Sequence, residues 1–283
     1  MMDVQGALSD YTVGEPIGKG ARSVIYEVTR RADGERFAAK FVTVRAKADL
    51  PVVRHLENEY RVLRLLHEDR EGAGGIVRPV EFRIMRRLLK VEAAYLILEQ
   101  VPGKSLAELG NRALRVGVYI FYQVARILDY VHSRGYVYGD LKPHNILLQE
   151  KLRVTLIDFG FAAPIGSRLR GLKGTWGYLA PEQAGGRLDT STDVFNLGAV
   201  MYWFFTGQQI PSILPSARGK GGFIPAKRLK LTPPHHINTE MPEELSKLIL
   251  RACKGDAAKR PAMPAVVQML HDLELRYELE SRG

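Results

Sequence analysis

The sequence predicts a two-lobed α+β fold: a five-stranded antiparallel N-lobe sheet with one helix, then a mainly helical C-lobe. Three observations lead there. The first ninety-nine residues hold short runs of alternating polarity, the pattern of half-buried strands. One stretch after Pro51 breaks into helical spacing, and from Leu106 onward apolar residues recur with a helical period. A chain of 283 residues can bury one large core or two modest ones.

Residues 11–17, 24–30 and 36–42 form the first three expected strands, with Asp33-Gly34 turning the chain between the last two. Leu56, Tyr60, Leu63 and Leu66 then mark an amphipathic helix that Asp49 can cap, with Glu59 near its apolar face. Residues 76–82 and 93–98 complete the sheet, and Arg83, Arg86, Arg87 and Lys90 interrupt what reads as a hairpin between them. A hinge is expected near 99–103. In the second lobe Val116, Ile120, Val124, Leu128 and Val131 mark a long helix that stops at Gly135. Asp193 precedes an apolar helix over 195–205, and two more helices are expected over 243–253 and 264–279. The expected boundaries are an extension over 1–10 and one domain over 11–283, with lobes at 11–100 and 101–279. The ligand is expected in a cleft between the lobes.

Composition narrows the class. Hydrophobic residues make up 46% and charged residues 25%, which excludes disordered and collagen-like chains. The single cysteine, Cys253, rules out an intrachain disulfide and a cysteine-based zinc site, and reads as buried packing. Residues 1–10 carry no basic start followed by an apolar run, so a cytoplasmic protein is expected. The apolar run at 195–205 is shorter than the roughly 20 residues a membrane helix needs, so no membrane segment is expected. Lys and Arg exceed Asp and Glu by ten. Much of that excess sits at Arg83, Arg86, Arg87 and Lys90 and at Arg218, Lys220, Lys227, Arg228 and Lys230. Such stretches are a solvated basic face or a surface for nucleic acid or anionic lipid. No aromatic interleaving supports nucleic acid, which is not expected as a partner.

The chemistry concentrates in Tyr138-Gly139-Asp140-Leu141-Lys142-Pro143-His144-Asn145, with Asp158-Phe159-Gly160 beginning thirteen residues after Asn145. Moving a phosphoryl group needs a carboxylate aimed at the attacking hydroxyl, a cation near the migrating group and oxygen ligands for magnesium. Asp140, Lys142, Asn145 and Asp158 supply these. Ile17-Gly18-Lys19-Gly20-Ala21-Arg22-Ser23-Val24-Ile25 joins the first two strands, and its glycines let backbone amides approach phosphate oxygens. Lys40, on an apolar strand, needs an anion partner, and Glu59 can hold it against the α- and β-phosphates.

Together with Ala180-Pro181-Glu182, Asp193 and Arg260, these motifs stand in the order of one family: across nearly its whole length the chain resembles the eukaryotic-like serine/threonine protein kinases of bacterial type. The resemblance implies a protein-kinase-like fold that transfers the γ-phosphate of ATP to serine or threonine of protein substrates. Asp140 would accept the hydroxyl proton, Lys142 contact the γ-phosphate, and Asn145 and Asp158 hold Mg2+, with Mn2+ as a substitute ion. The adenine would lie between Val24 and Ala38 above and Leu147 below, with backbone bonds from Glu99 and Val101 and Leu98 as gatekeeper. Thr175 would bond the catalytic aspartate and lysine, pointing to Ser/Thr acceptors, and Glu182 would pair with Arg260.

Three departures qualify the resemblance. Ser23 replaces the third loop glycine. Tyr138-Gly139 stands where the family usually has His-Arg, removing the arginine that receives an activation-loop phosphate. Residues 161–174 hold one hydroxyl, Ser167, beside Arg168, Arg170 and Lys173. The expectation is therefore a loop that orders without phosphorylation, with Tyr138 packed beneath Phe159, and a basic platform that favours acidic peptide segments. Two rivals stand beside this reading: an aminoglycoside- or choline-type phosphotransferase, favoured by Gly139, and a non-catalytic nucleotide-binding scaffold.

Overall fold

The computed structural model describes residues 4–20, 23–69, 72–110, 113–168, 175–211 and 229–280. Two compact units divide the chain. The first comprises Met1–Gly72, Ile76–Pro102 and Asp158–Gly160, and the second Ala73–Gly75, Gly103–Ile157 and Phe161–Gly283.

The first unit opens with a short helix α1 (Val4–Ala7) and is built on β1 (Tyr11–Lys19), β2 (Val24–Arg30), β3 (Arg36–Thr43), helix α2 (Leu50–Leu66), β4 (Pro79–Arg87) and β5 (Lys90–Glu99). The expected five-stranded sheet is present, antiparallel throughout, in the order β1-β2-β3-β5-β4. Alternation along β3 sends Phe37, Ala39 and Phe41 into a core shared with Tyr11, Val28, Tyr95 and Ile97. Ala7 and Leu8 are buried in that same core, so the residues ahead of the first strand pack on the sheet. Helix α2 buries Val53, Leu56, Glu59, Val62, Leu63 and Leu66.

Two expectations change here. Asp49 sits at the N-cap of α2, but its carboxylate makes no cap bond to the helix. Oδ2 instead accepts from the backbone N–H groups of Arg45 and Ala46, bracing the turn before the helix. The strand expected at 76–82 is displaced to Pro79–Arg87, and the arginines ride on it rather than interrupting it. Exposed positions of a two-strand hairpin accept charged residues, so Arg83, Arg86 and Arg87 are compatible with pairing to β5.

The second unit contains β6 (Lys104–Ser105), α3 (Leu106–Leu109), α4 (Leu114–Ser133), β7 (Tyr136–Val137), β8 (Ile146–Leu148), β9 (Val154–Leu156), β10 (Ala163–Pro164), α5 (Thr190–Thr206), α6 (Pro234–Ile237), α7 (Glu243–Ala252) and α8 (Met263–Glu280). Strands β6, β8 and β9 form one small sheet, and β7 and β10 another. Helix α5 is buried over most of its length, which is why it reads as a continuous apolar run and not as a stripe. It begins at Thr190, ahead of the expected start, because the side chain of Asp189 caps it by accepting from the Ser191 N–H. Asp193 therefore lies inside the helix. Against α5 packs α4, where Gly117 leaves room for Phe204 and Phe205: a Cβ there would come within 2.6 Å of both rings. No described helix is long and apolar enough to cross a membrane.

Cys253, at the end of α7, is buried, and burial pushes its thiol up to about 12, with Arg260 working weakly against the rise. An unfolded cysteine titrates near about 8.5. Between those values the folded state keeps a proton that the unfolded state has lost, so stability falls as pH rises through that window, by up to ~1.4 kcal/mol per pH unit, and is untouched by this group below it. Denaturant melts between pH 7 and pH 10 should show this decline and a Cys253→Ser variant should lack it. A thiol reagent at pH 8 should label Cys253 only after unfolding.

Candidate active site

Each unit carries part of the motif set. In the first, Lys19 pairs with Val24 and Gly18 with Ile25 at the mouth of the β1–β2 turn. The N–H of Gly20 donates to the Ser23 carbonyl at 2.8 Å, closing that turn. A Cβ on Gly20 would lie 2.6 Å from the Ser23 hydroxyl, which would have to rotate aside. Ile17 is exposed, and Ala21 and Arg22 lie outside the described residues.

Lys40 sits in the middle of β3, flanked by Ile25 of β2 and Leu96 of β5. It is 8% exposed and Glu59 2%. Its Nζ donates to Glu59 Oε1 at 2.6 Å and to Asp158 Oδ1 at 3.2 Å, which uses two of its three donors. Burial alone would lower Lys40, but the Asp158 and Glu59 carboxylates outweigh it and hold the ammonium above its usual range. Glu59 is pushed up by burial, against the pull of Lys40. An unpaired charge here would be costly, so the pair is a mutual requirement. Glu59 Oε1 also accepts the Phe159 N–H at 3.3 Å, and Asn58 donates to the Gly160 carbonyl at 3.4 Å. Helix α2 thereby holds the Asp-Phe-Gly segment. Asp158 itself has φ +65, a left-handed conformation unusual for a side-chain-bearing residue.

Val24, Ala38, Leu98, Glu99 and Val101 belong to this first unit, whereas Leu147 lies on β8 of the second. The Glu99 N–H donates to the Arg78 carbonyl at 2.9 Å.

In the second unit the loop after β7 is positioned by side chains. Asp193, fully buried, accepts the N–H of Tyr138 on Oδ2 and of Gly139 on Oδ1, both at 2.8 Å. His132 reaches Oδ2 at 2.8 Å. Gly139 has φ +76, and its carbonyl accepts from Gln183 at 2.9 Å. Asp140 follows with both carboxylate oxygens engaged: Thr175 donates to Oδ1 at 3.0 Å and Lys142 to Oδ2 at 2.9 Å. Asn145 donates from Nδ2 to the Asp140 carbonyl at 3.0 Å, an orientation that leaves its amide oxygen for another role. The Tyr138 hydroxyl donates to the Ile157 carbonyl. Below the loop, Arg260 grips Glu182 in a two-point fork at 2.6 and 2.9 Å.

Hard oxygen donors suit magnesium, which takes one or two protein oxygens and completes its shell from phosphates and water. Asn145 of the second unit carries a side-chain oxygen of that kind, as does Asp158 of the first, and no cluster of three or more His, Cys, Asp or Glu is found among the described residues.

No local pattern in the sequence marks His132, Gln183 or Asn196, and none assigns a role to Asp193. Asn196 donates to Gln183 Oε1 at 3.1 Å, so α5 orients the side chain that in turn holds the Gly139 carbonyl. Asp193→Ala would leave two buried N–H groups unpaired, a loss of about 2–6 kcal/mol. The expected outcome is a lower melting temperature and loss of phosphoryl transfer together; an active variant of wild-type stability would show that the loop holds itself.

The family model described as protein kinase domain matches residues 11–271. A probable serine/threonine-protein kinase of Clostridium perfringens is 26% identical over 275 residues, covering 93% of this chain and 38% of its own. A serine/threonine-protein kinase of Arabidopsis thaliana is 32% identical over 207 residues, covering 71% and 15%. A probable serine/threonine-protein kinase of Lactococcus lactis is 24% identical over 287 residues, covering 96% and 43%. The chain thus spans less than half the length of these curated relatives. With the family pattern matched over nearly all of its residues, the chain belongs to the protein kinase family, of the eukaryotic-like serine/threonine kind.

Proposed function

We propose that this protein transfers the γ-phosphate of Mg-ATP to serine or threonine hydroxyls of proteins. The observation that carries the proposal is Asp140, whose two oxygens are oriented by Lys142 and Thr175. A carboxylate held in this way can accept the proton of an incoming hydroxyl as its oxygen attacks phosphorus. Lys142 then offers positive charge to the migrating group, and Lys40, with one donor unused among the described residues, to the α- and β-phosphates. Magnesium, when bound, would neutralise the phosphate oxygens, with Asn145 and Asp158 as its protein ligands. The amides around Gly18 and Gly20 serve the triphosphate, while Val24, Ala38, Leu147 and the backbone of Val101 serve the adenine.

Independence from activation-loop phosphorylation is part of the proposal. The described part of that segment is anchored by main-chain bonds: β10 pairs with β7, Gly166 donates to the Leu188 carbonyl, Leu188 to the Ser167 carbonyl, and Arg168 bridges to Arg187. Gly139 supplies no side chain to receive a phosphate. Arg170, Lys173, Gly174 and the basic residues 218, 220, 227 and 228 lie outside the described residues. The excess of ten positive charges supports a preference for acidic peptide segments.

Incubation with labelled ATP and a cell lysate should place label on protein serine and threonine; label only on aminoglycosides or small alcohols would overturn the reading. Asp140→Asn should keep nucleotide affinity while turnover falls about 10²- to 10⁴-fold. Ser167→Ala should retain turnover within about twofold of the parent, since a single half-buried hydroxyl that takes no phosphate has little to lose. A loss of a hundredfold would restore a phosphate switch.

A further inference from the structure

The turn between β4 and β5 is made of two leucines. Arg87 pairs with Lys90 across the hairpin, leaving Leu88 and Leu89 as its tip, 94% and 98% exposed. Leu88 has φ +54, a region that glycine and asparagine enter readily and a branched apolar residue rarely does. Two-residue hairpin turns selected for folding alone carry glycine, asparagine or aspartate. Here the tip instead combines backbone strain with nearly complete exposure of two apolar side chains. Both run against the stability of the isolated chain.

The charges beside the tip are as one-sided as its apolar surface. Arg86, Arg87 and Lys90 are exposed, and none forms an ion pair among the described residues, whereas Arg83 farther along β4 is taken up by Glu81 at 3.2 Å and Asp10 at 3.6 Å. No acid occurs between Glu81 and Glu92. An apolar point ringed by unpaired cations complements a bilayer that carries anionic lipid: the leucines enter the acyl boundary while the cations stay level with the phosphates. Nucleic acid would leave both leucines without a partner, since the tip has no aromatic ring on which a base could stack.

The geometry points to residues 86–90 as a peripheral docking tip for anionic membrane surfaces. Each cation near such a surface strengthens binding about fivefold, so three give roughly a hundredfold, and the two leucines make the attachment reversible rather than permanent.

The test is sedimentation of the full 283-residue chain with phosphatidylcholine vesicles and with vesicles in which phosphatidylserine makes up about a third of the lipid. Binding is expected only to the second kind, and it should weaken as salt shortens the screening length. Leu88→Gly with Leu89→Ser should abolish it while leaving the melting temperature equal or higher, because that turn is relieved of strain. Arg86→Glu, Arg87→Glu and Lys90→Glu together should cut it by about a hundredfold or more. Equal binding to neutral vesicles, no binding to either, or undiminished binding by the Gly-Ser tip overturns the proposal. Self-association or capture of a protein through the leucines by a chain that ignores vesicles assigns the tip to a protein partner instead.

Discussion

One buried carboxylate organises the helical unit. Asp193 is enclosed in helix α5, where an uncompensated carboxylate would be costly, and it is tolerated because two backbone N–H groups and His132 converge on it. The obligation is mutual. Tyr138 and Gly139 belong to a loop that has no ladder to satisfy its amides, and without Asp193 those groups would be buried and unpaired. Fixing two consecutive amides fixes the direction of the chain into Asp140, and every group that engages Asp140 depends on that direction.

The same logic recurs at two buried ion pairs, Arg260–Glu182 and Lys40–Glu59, with different side chains for different ends. Arg260 meets Glu182 as a planar fork, adds bonds to backbone carbonyls and stacks over Phe195, a closed arrangement that leaves nothing for a ligand. Lys40 is a compact charge with three donors, of which the described residues use two. The first pair therefore holds structure together, and the second keeps capacity for an anion.

Several parts of this were legible from residue order alone. The sheet and the long helices follow from periodicity, because strand alternation and a helical stripe leave a local trace, and motif spacing picks out Lys40, Glu59, Asp140, Lys142, Asn145 and Asp158 as candidates. The misreadings share a cause. Asp49 reads as a cap because it stands one residue ahead of the helix, yet its carboxylate turns back to Arg45 and Ala46. The arginines at 83, 86 and 87 look like a break because period and polarity do not show whether a strand face is covered. Strands of two or three residues, such as β7 and β10, are too short for any period, and they exist only because each finds the other.

Residue order by itself determined which chemical groups the chain owns and the sequence in which the elements carrying them are laid down, since propensity and hydrophobic period act over neighbouring residues. Tertiary structure alone decided which of those groups are held and by what. The grip of Thr175 on Asp140, of Gln183 on the Gly139 carbonyl and of Asp193 on two amides joins positions separated by 35, 44 and 54 or 55 residues. Such bonds form because burial makes an unpaired polar group costly, and burial is a property of the packed chain that no short window of sequence contains.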